Sequence, residues 1–213
     1  MSDLVATIKS IQRALGLYPD GKFGPMSAAR VLAELTDTSP VTPRATVIKL
    51  DDGRIANLDA RTVANIGTLD AKARDRFISF TLLANATAAT FGCQYVMIGG
   101  NRTWDEQDAL YEQGRSRPGK IVTNAKGGQS NHNLAIAGDY GVFRGRAYLD
   151  DGSAADQQLA SRVHKACSLQ AAECGLEWGG SWKSMADQPH YQILTGLTMA
   201  QQRSIFKAKG SVL

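Results

Sequence analysis

The sequence predicts an α+β fold: a small antiparallel sheet with flanking helices, preceded by a small N-terminal helical module. Three observations carry that prediction. Residues 94–98, 135–143 and 189–194 are short apolar runs bounded by glycine or turn residues, as strands are. Residues 70–91 and 154–174 read instead as long helices, the first repeating apolar side chains at intervals of three and four. Between the module and the rest, residues 36–46 are polar and carry Pro40 and Pro43, the composition of a linker. The organisation expected is 1–38 module, 39–46 linker and 47–213 main domain.

A chain of 213 residues with 43% hydrophobic content can bury one substantial core and a small appendage. No apolar run reaches the length of a membrane span. Met1-Ser2-Asp3-Leu4 has no basic region leading into an apolar core, so synthesis in a cytoplasm without a secretory signal is expected. The net charge of +4 suits a polyanionic partner, nucleic acid or cell wall, but the basic residues form no dense run and no nucleic-acid motif accompanies them. Nucleic acid is therefore not expected as a partner, and a monomer is. Three cysteines, Cys93, Cys167 and Cys174, have no disulfide-framework spacing and read as buried free thiols.

Residues 3–15 read as a helix capped by Asp3, with Leu4, Ile8, Ile11 and Leu15 at helical spacing. Residues 16–25 hold three glycines and two prolines, a compact loop, and a second helix follows over 26–35. In the main domain Asp51-Asp52-Gly53 is a turn and 58–69 holds a short helix. In the helix over 70–91, Phe77, Phe80, Ala84, Ala88 and Phe91 share a face, and Gly92 ends it. Thr103-Trp104-Asp105-Glu106 is a capping box for a helix to about Gln113. The long loop 114–133 has the glycines and polar residues of a site. Arg144-Gly145-Arg146 suits a hairpin turn, and Gly175 closes the helix over 154–174. Residues 177–182 read as an aromatic, glycine-rich loop, and Thr198 caps a last helix ending at Gly210.

Two of the three histidines, His132 and His190, stand where loops enter strands. Asp139 lies in an apolar run, where a carboxylate needs a cation or strong hydrogen bonds. If the strands over 135–143 and 189–194 are antiparallel neighbours, the three side chains converge on one face. A catalytic zinc takes three such ligands and keeps one position open. Glu177 sits 13 positions before His190 beside Trp178 and Trp182, which can dry a site, and is the expected general base. His164 lies on a helix beside Val163 and reads as a solvated residue with no ligand role.

These residues fall into a recognisable pattern. Ser130-x-His132-x-x-Ala135-x-Ala137-x-Asp139, then Glu177-Trp178-Gly179-Gly180, then Asp187-x-Pro189-His190 resembles the zinc peptidases that cut D-amino-acid bonds in peptidoglycan. These include VanY-like D-Ala–D-Ala carboxypeptidases and L-alanyl-D-glutamate endopeptidases. Arg102-Thr103-x-x-x-Gln107 and the run Pro118 to Asn133 look most like the L-alanyl-D-glutamate endolysin branch. Ile11-Gln12-x-x-Leu15-Gly16-Leu17 and Pro19-Asp20-Gly21-x-x-Gly24-Pro25 resemble a peptidoglycan-binding helical module.

The resemblance implies a hedgehog/D-Ala–D-Ala peptidase-like fold, Zn2+ held by His132, Asp139 and His190, and Glu177 as catalytic base. It implies that Arg102 steadies the developing oxyanion or orients substrate, and that Ser130 and Gln107 bind substrate or support the ligands. Asp187 is expected in a supporting or turn role. The implied function is a phage endolysin that hydrolyses the L-Ala–D-Glu bond, released through a holin pore. A D-Ala–D-Ala carboxypeptidase on the same scaffold and a non-enzymatic wall-binding protein with structural zinc remain open alternatives. The family usually has glycine where this chain has Ala135. The expectation is that this glycine serves close packing rather than a positive φ.

Overall fold

The computed structural model describes the backbone of residues 47–49 and 55–57 and the whole of residues 58–213. The expected N-terminal helices, the linker, its boundaries and the turn at 51–53 lie outside the described residues. Strands β1 (Val47–Lys49) and β2 (Ile55–Asn57) pair antiparallel. Helices α1 (Ala60–Gly67) and α2 (Ala71–Ala89) follow, each capped by an aspartate, Asp59 and Asp70, whose carboxylate accepts from a first-turn amide.

The main sheet holds β3 (Gln94–Gly99), β4 (Ala137–Arg144), β5 (Ala147–Tyr148), β6 (Leu176–Trp178) and β7 (His190–Ile193). Its order is β3-β4-β7-β6, with β5 pairing the end of β4, and every pairing is antiparallel. Helix α3 (Trp104–Glu112) carries the capping box read from Thr103 and Glu106. Helix α4 is Ala154–Cys167, and α5 is Met199–Lys209, closed by Gly210 in the left-handed region.

Side chains alternate across a strand, so register decides which face each joins. Tyr95, Met97, Tyr140, Val142, Tyr191 and Ile193 share the core face and are fully or almost fully buried. There the Phe80 ring of α2 meets Tyr140 edge-on at 5.2 Å and tilts over Tyr191 at 4.3 Å. Asp139, His190, Gln192 and Glu177 share the opposite face, since Asp139 pairs with His190 and Gln192 with Glu177. The aromatic face thus anchors the sheet while the polar face is free for chemistry.

Four local expectations are corrected. The helix over 154–174 stops at Cys167, and a 3-10 turn, Ser168–Gln170, and further turns carry the chain to Gly175. Glu177 sits on β6, not in a loop. His164 is 1% exposed, because it belongs to the stripe Ala160, Val163, His164 and Cys167 that α4 turns inward. Its Nε2 pairs with Asp150 Oδ1 and its Nδ1 with the Tyr95 hydroxyl at 2.7 Å; that hydroxyl also meets Tyr191 Oη at 3.0 Å. A buried imidazole with both nitrogens partnered is a structural strut.

The fourth correction concerns Ala135. It ends a 3-10 turn, Asn131–Leu134, with φ 57° and ψ 31°, and lies outside β4. Alanine therefore stands at a left-handed position, where the resemblance implies glycine and where a Cβ crowds the following carbonyl. The turn is held regardless: Ala135 N–H donates to His132 O at 3.2 Å, and Ala135 O accepts from Asp70 N–H at 2.9 Å. Substituting Ala135→Gly should raise the unfolding free energy by about 1 kcal/mol. Urea denaturation of the two proteins measures this; an unchanged or lower stability contradicts it.

Candidate metal centre and active site

Each of the three converging side chains is set by a different local structure. Ser130 caps the 3-10 turn, its Oγ accepting from His132 N–H at 3.3 Å, and the turn carries His132 under the sheet. Asp139 and His190 are cross-strand partners on β4 and β7. His132 Nε2, Asp139 Oδ1 and His190 Nδ1 lie 3.2 Å from one another in all three pairs. A tetrahedral ion with bonds of ~2.0–2.1 Å has ligand–ligand edges of roughly 3.3–3.4 Å. The three atoms therefore match one face of such a tetrahedron.

Proton placement agrees. His132 Nδ1–H donates to Gly100 O at 2.7 Å, which leaves the Nε2 lone pair facing the centre. His190 Nε2–H donates to Gln192 Oε1 at 3.0 Å, which leaves Nδ1 facing it. Two imidazole lone pairs directed at each other repel unless a proton or metal cation lies between them. The residues thus fit a divalent ion that takes nitrogen and carboxylate ligands.

The electrostatics follow from the same contacts. When protons rather than an ion occupy the centre, burial alone would raise the Asp139 carboxyl, but the His132 charge and the hydrogen bonds from His132 and His190 overrule it and hold it far below its usual range. Burial likewise opposes charge on His190, yet the hydrogen bond and charge of Asp139, then Gln192 and Asp187, raise it overall. The second Asp139 oxygen, Oδ2, faces Arg102 Nη2 at 3.6 Å.

These groups line a cavity of about 550 Å³. Arg102 stands in its wall and also in that of a second hollow of about 510 Å³ beside it. Ser130 and Asp187 face the main cavity, and Trp182 packs on His190 with ring centres 5.0 Å apart. Asp187 is partly buried. Burial first, and then the Asp139 charge, push its carboxyl above the usual range, while the histidines oppose this. Gly179 permits the loop to close here: a Cβ on it would stand 2.8 Å from Asp187 O and 3.0 Å from His190 Cβ.

Glu177 stands away from the cavity, and of the two tasks expected of Gln107 the geometry fits support rather than substrate contact. Glu177 is not part of the cavity lining; its Oε2 accepts from Gln192 Nε2 at 2.7 Å, behind His190. Gln107 has no exposed surface and cannot bind substrate. Its Oε1 accepts from Arg102 Nη1 at 2.8 Å, and its Nε2 donates to Ala125 O at 2.8 Å and to Thr123 Oγ1 at 3.3 Å. Gln192 and Gly100 were missed in the sequence. Gln192 had a signal, since two residues along a strand from His190 it must share that face.

A small antiparallel sheet presenting two histidines and an aspartate at tetrahedral spacing, in a cleft with a further carboxylate, defines a metallopeptidase-like site. Residues 123–193 match the family described as D-alanyl-D-alanine carboxypeptidase. The peptidoglycan L-alanyl-D-glutamate endopeptidase CwlK of Bacillus subtilis (strain 168) is 38% identical over 111 residues, 51% of this chain and 66% of that protein. The chain therefore spans just under two thirds of that relative's length. Over these stretches the chain is similar to that family and to that endopeptidase. Two solved structures are also similar to it. The Serratia marcescens L-Ala D-Glu endopeptidase ChiX has a TM-score of 0.43 and 20% identity, covering 65% of this chain and 90% of that one. The vancomycin resistance D,D-pentapeptidase VanY, in complex with Zn(II), has a TM-score of 0.37 and 13% identity, covering 81% and 89%.

The opposed shifts predict a stability window for chelator-treated protein. The depressed Asp139 contributes stability above its unfolded pKa of ~3.9, lost as pH falls below it. The raised His190 contributes fully below its unfolded pKa of ~6.5, lost as pH rises through the folded value. Their pairing should therefore stabilise most between about pH 4 and 6.5, and Asp139→Asn should flatten that maximum. Urea midpoints measured across this range check it; an equal pH dependence in both proteins contradicts it.

Proposed function

We propose that this protein is a zinc-dependent peptidoglycan peptidase that hydrolyses the L-Ala–D-Glu bond of the stem peptide. The observation that carries the reading is the set of three donor atoms 3.2 Å apart, opening on a cavity that also holds Asp187. Two nitrogens and one carboxylate oxygen suit zinc, with a fourth position left for reaction. His132, Asp139 and His190 would hold the ion. When bound, zinc supplies Lewis-acid polarisation of the scissile carbonyl and makes water a better nucleophile at neutral pH.

The remaining chemistry is assigned to the chain's own side chains. Asp187, and not Glu177, takes the proton of the attacking water and returns it to the leaving amine. Its raised carboxyl pKa suits both transfers. Arg102 is the one arginine or lysine among the cavity-lining residues and offers a carboxylate-binding guanidinium to an acidic stem peptide. Ser130 holds the turn that presents His132. The printed activity of CwlK favours the L-Ala–D-Glu bond, whereas the family description favours a D-Ala–D-Ala carboxypeptidase as the second reading. A phage lytic role with holin-mediated release, and wall binding by residues 1–38, rest on the sequence resemblance.

Mass spectrometry of digested muropeptides together with metal content tests this. Products split between L-Ala and D-Glu are expected, and loss of terminal D-Ala alone would sink the endopeptidase reading. His132→Ala should lose both metal and activity. Asp187→Asn should keep zinc and lose about 100- to 10,000-fold in kcat; full activity in that variant would remove Asp187 from the mechanism.

A further inference from the structure

Glu177 lies outside the cavity, yet it is a carboxylate held on the same sheet face as His190. What it touches gives it a different task. Its Oε2 accepts from Gln192 Nε2 at 2.7 Å. Gln192 Oε1 then accepts from His190 Nε2 at 3.0 Å and from Asn131 Nδ2 at 2.7 Å. The links form one chain, Glu177 to Gln192 to His190, with Asn131 as a side branch.

The direction of that chain is fixed at its far end. A primary amide can present either end to a neighbour, and an imidazole can carry its proton on either nitrogen. An ionised carboxylate has no such freedom, because it only accepts. With Glu177 as neighbour, Gln192 must turn its NH2 end toward Oε2 and its oxygen toward Asn131 and His190. An oxygen there requires a proton on His190 Nε2. The lone pair is thereby left on Nδ1, the atom 3.2 Å from both Asp139 Oδ1 and His132 Nε2. His132 needs no such relay, since the Gly100 carbonyl can only accept and fixes its tautomer directly.

We propose that Glu177 is a positioning residue that, through Gln192, sets the tautomer and ring orientation of His190 and so the metal affinity of the site. The inference rests on the reading of His132, Asp139 and His190 as metal ligands. It also gives Glu177 a role that does not require it to touch substrate.

Zinc affinity by chelator competition, and the tautomer of His190 by 15N NMR of metal-free protein, test it in the full chain. Glu177→Ala should weaken zinc on the order of 10- to 100-fold, the usual effect of losing a partner behind a ligand histidine. Gln192→Leu should do the same, because His190 Nε2–H then has no acceptor. Glu177→Gln should fall between wild type and Glu177→Ala, since its amide oxygen can still accept from Gln192 but its amide can also present the NH2 end and no longer fixes the direction; an affinity no better than that of Glu177→Ala would contradict the relay. Glu177→Lys reverses the chain: it donates to Gln192 Oε1, turns the NH2 toward His190 and should shift the imidazole proton to Nδ1. Thermal unfolding of each metal-free variant separates lost folding from lost affinity. Wild-type zinc affinity in Glu177→Ala, or an unmoved His190 tautomer in a folded Glu177→Lys, overturns the positioning role and leaves the metal-centre reading intact. Wild-type protein that binds no zinc overturns both.

Discussion

The antiparallel pairing of Asp139 with His190 is the constraint on which the site depends. It places a carboxylate and an imidazole side by side on one sheet face without loop geometry to set their distance. The same register sends Tyr140 and Tyr191 to the other face, where they meet Phe80. A slip of one residue would exchange these sets, putting the charged groups into the aromatic core. Core packing and the convergence of the candidate metal ligands Asp139 and His190 are thus two results of one register.

Around that pair the protein uses acceptors of fixed polarity to aim flexible donors. The Gly100 carbonyl does this for His132, and the Glu177 carboxylate does it through Gln192 for His190. Arg102 occupies the remaining oxygen of Asp139, so the carboxylate cannot turn both oxygens to the centre. The site is therefore oriented from behind on three sides, while the open side faces a cavity with Asp187 at its edge.

Much of this was legible in the sequence where periodicity decides it. The capping box at Thr103, the sheet strands and the closing glycine at 210 follow from spacing and residue type. The convergence of His132, Asp139 and His190 followed from strand parity once neighbouring strands were assumed. Legibility failed where a three-dimensional direction decides. Glu177 and Asp187 both precede His190 in sequence, and only the fold shows which one reaches the cavity. His164 reads as solvated when Leu159, Val163 and Ala166 define the inward face, whereas the stripe that α4 buries is Ala160, Val163, His164 and Cys167. The left-handed φ of Ala135 has no signature in an alanine. Gln107 looked like a polar site residue, but its amide is consumed on both ends inside the protein.

That last arrangement bears on how the region can change over time. Gln107 bridges Arg102 and the return of the long loop at Thr123 and Ala125. Between helix α3 and that bridge, Ile121 and Val122 are more than half exposed. Substitutions at these two exposed positions would reshape the rim of the cleft, where Val122 stands, while the stem stays tied to the arginine.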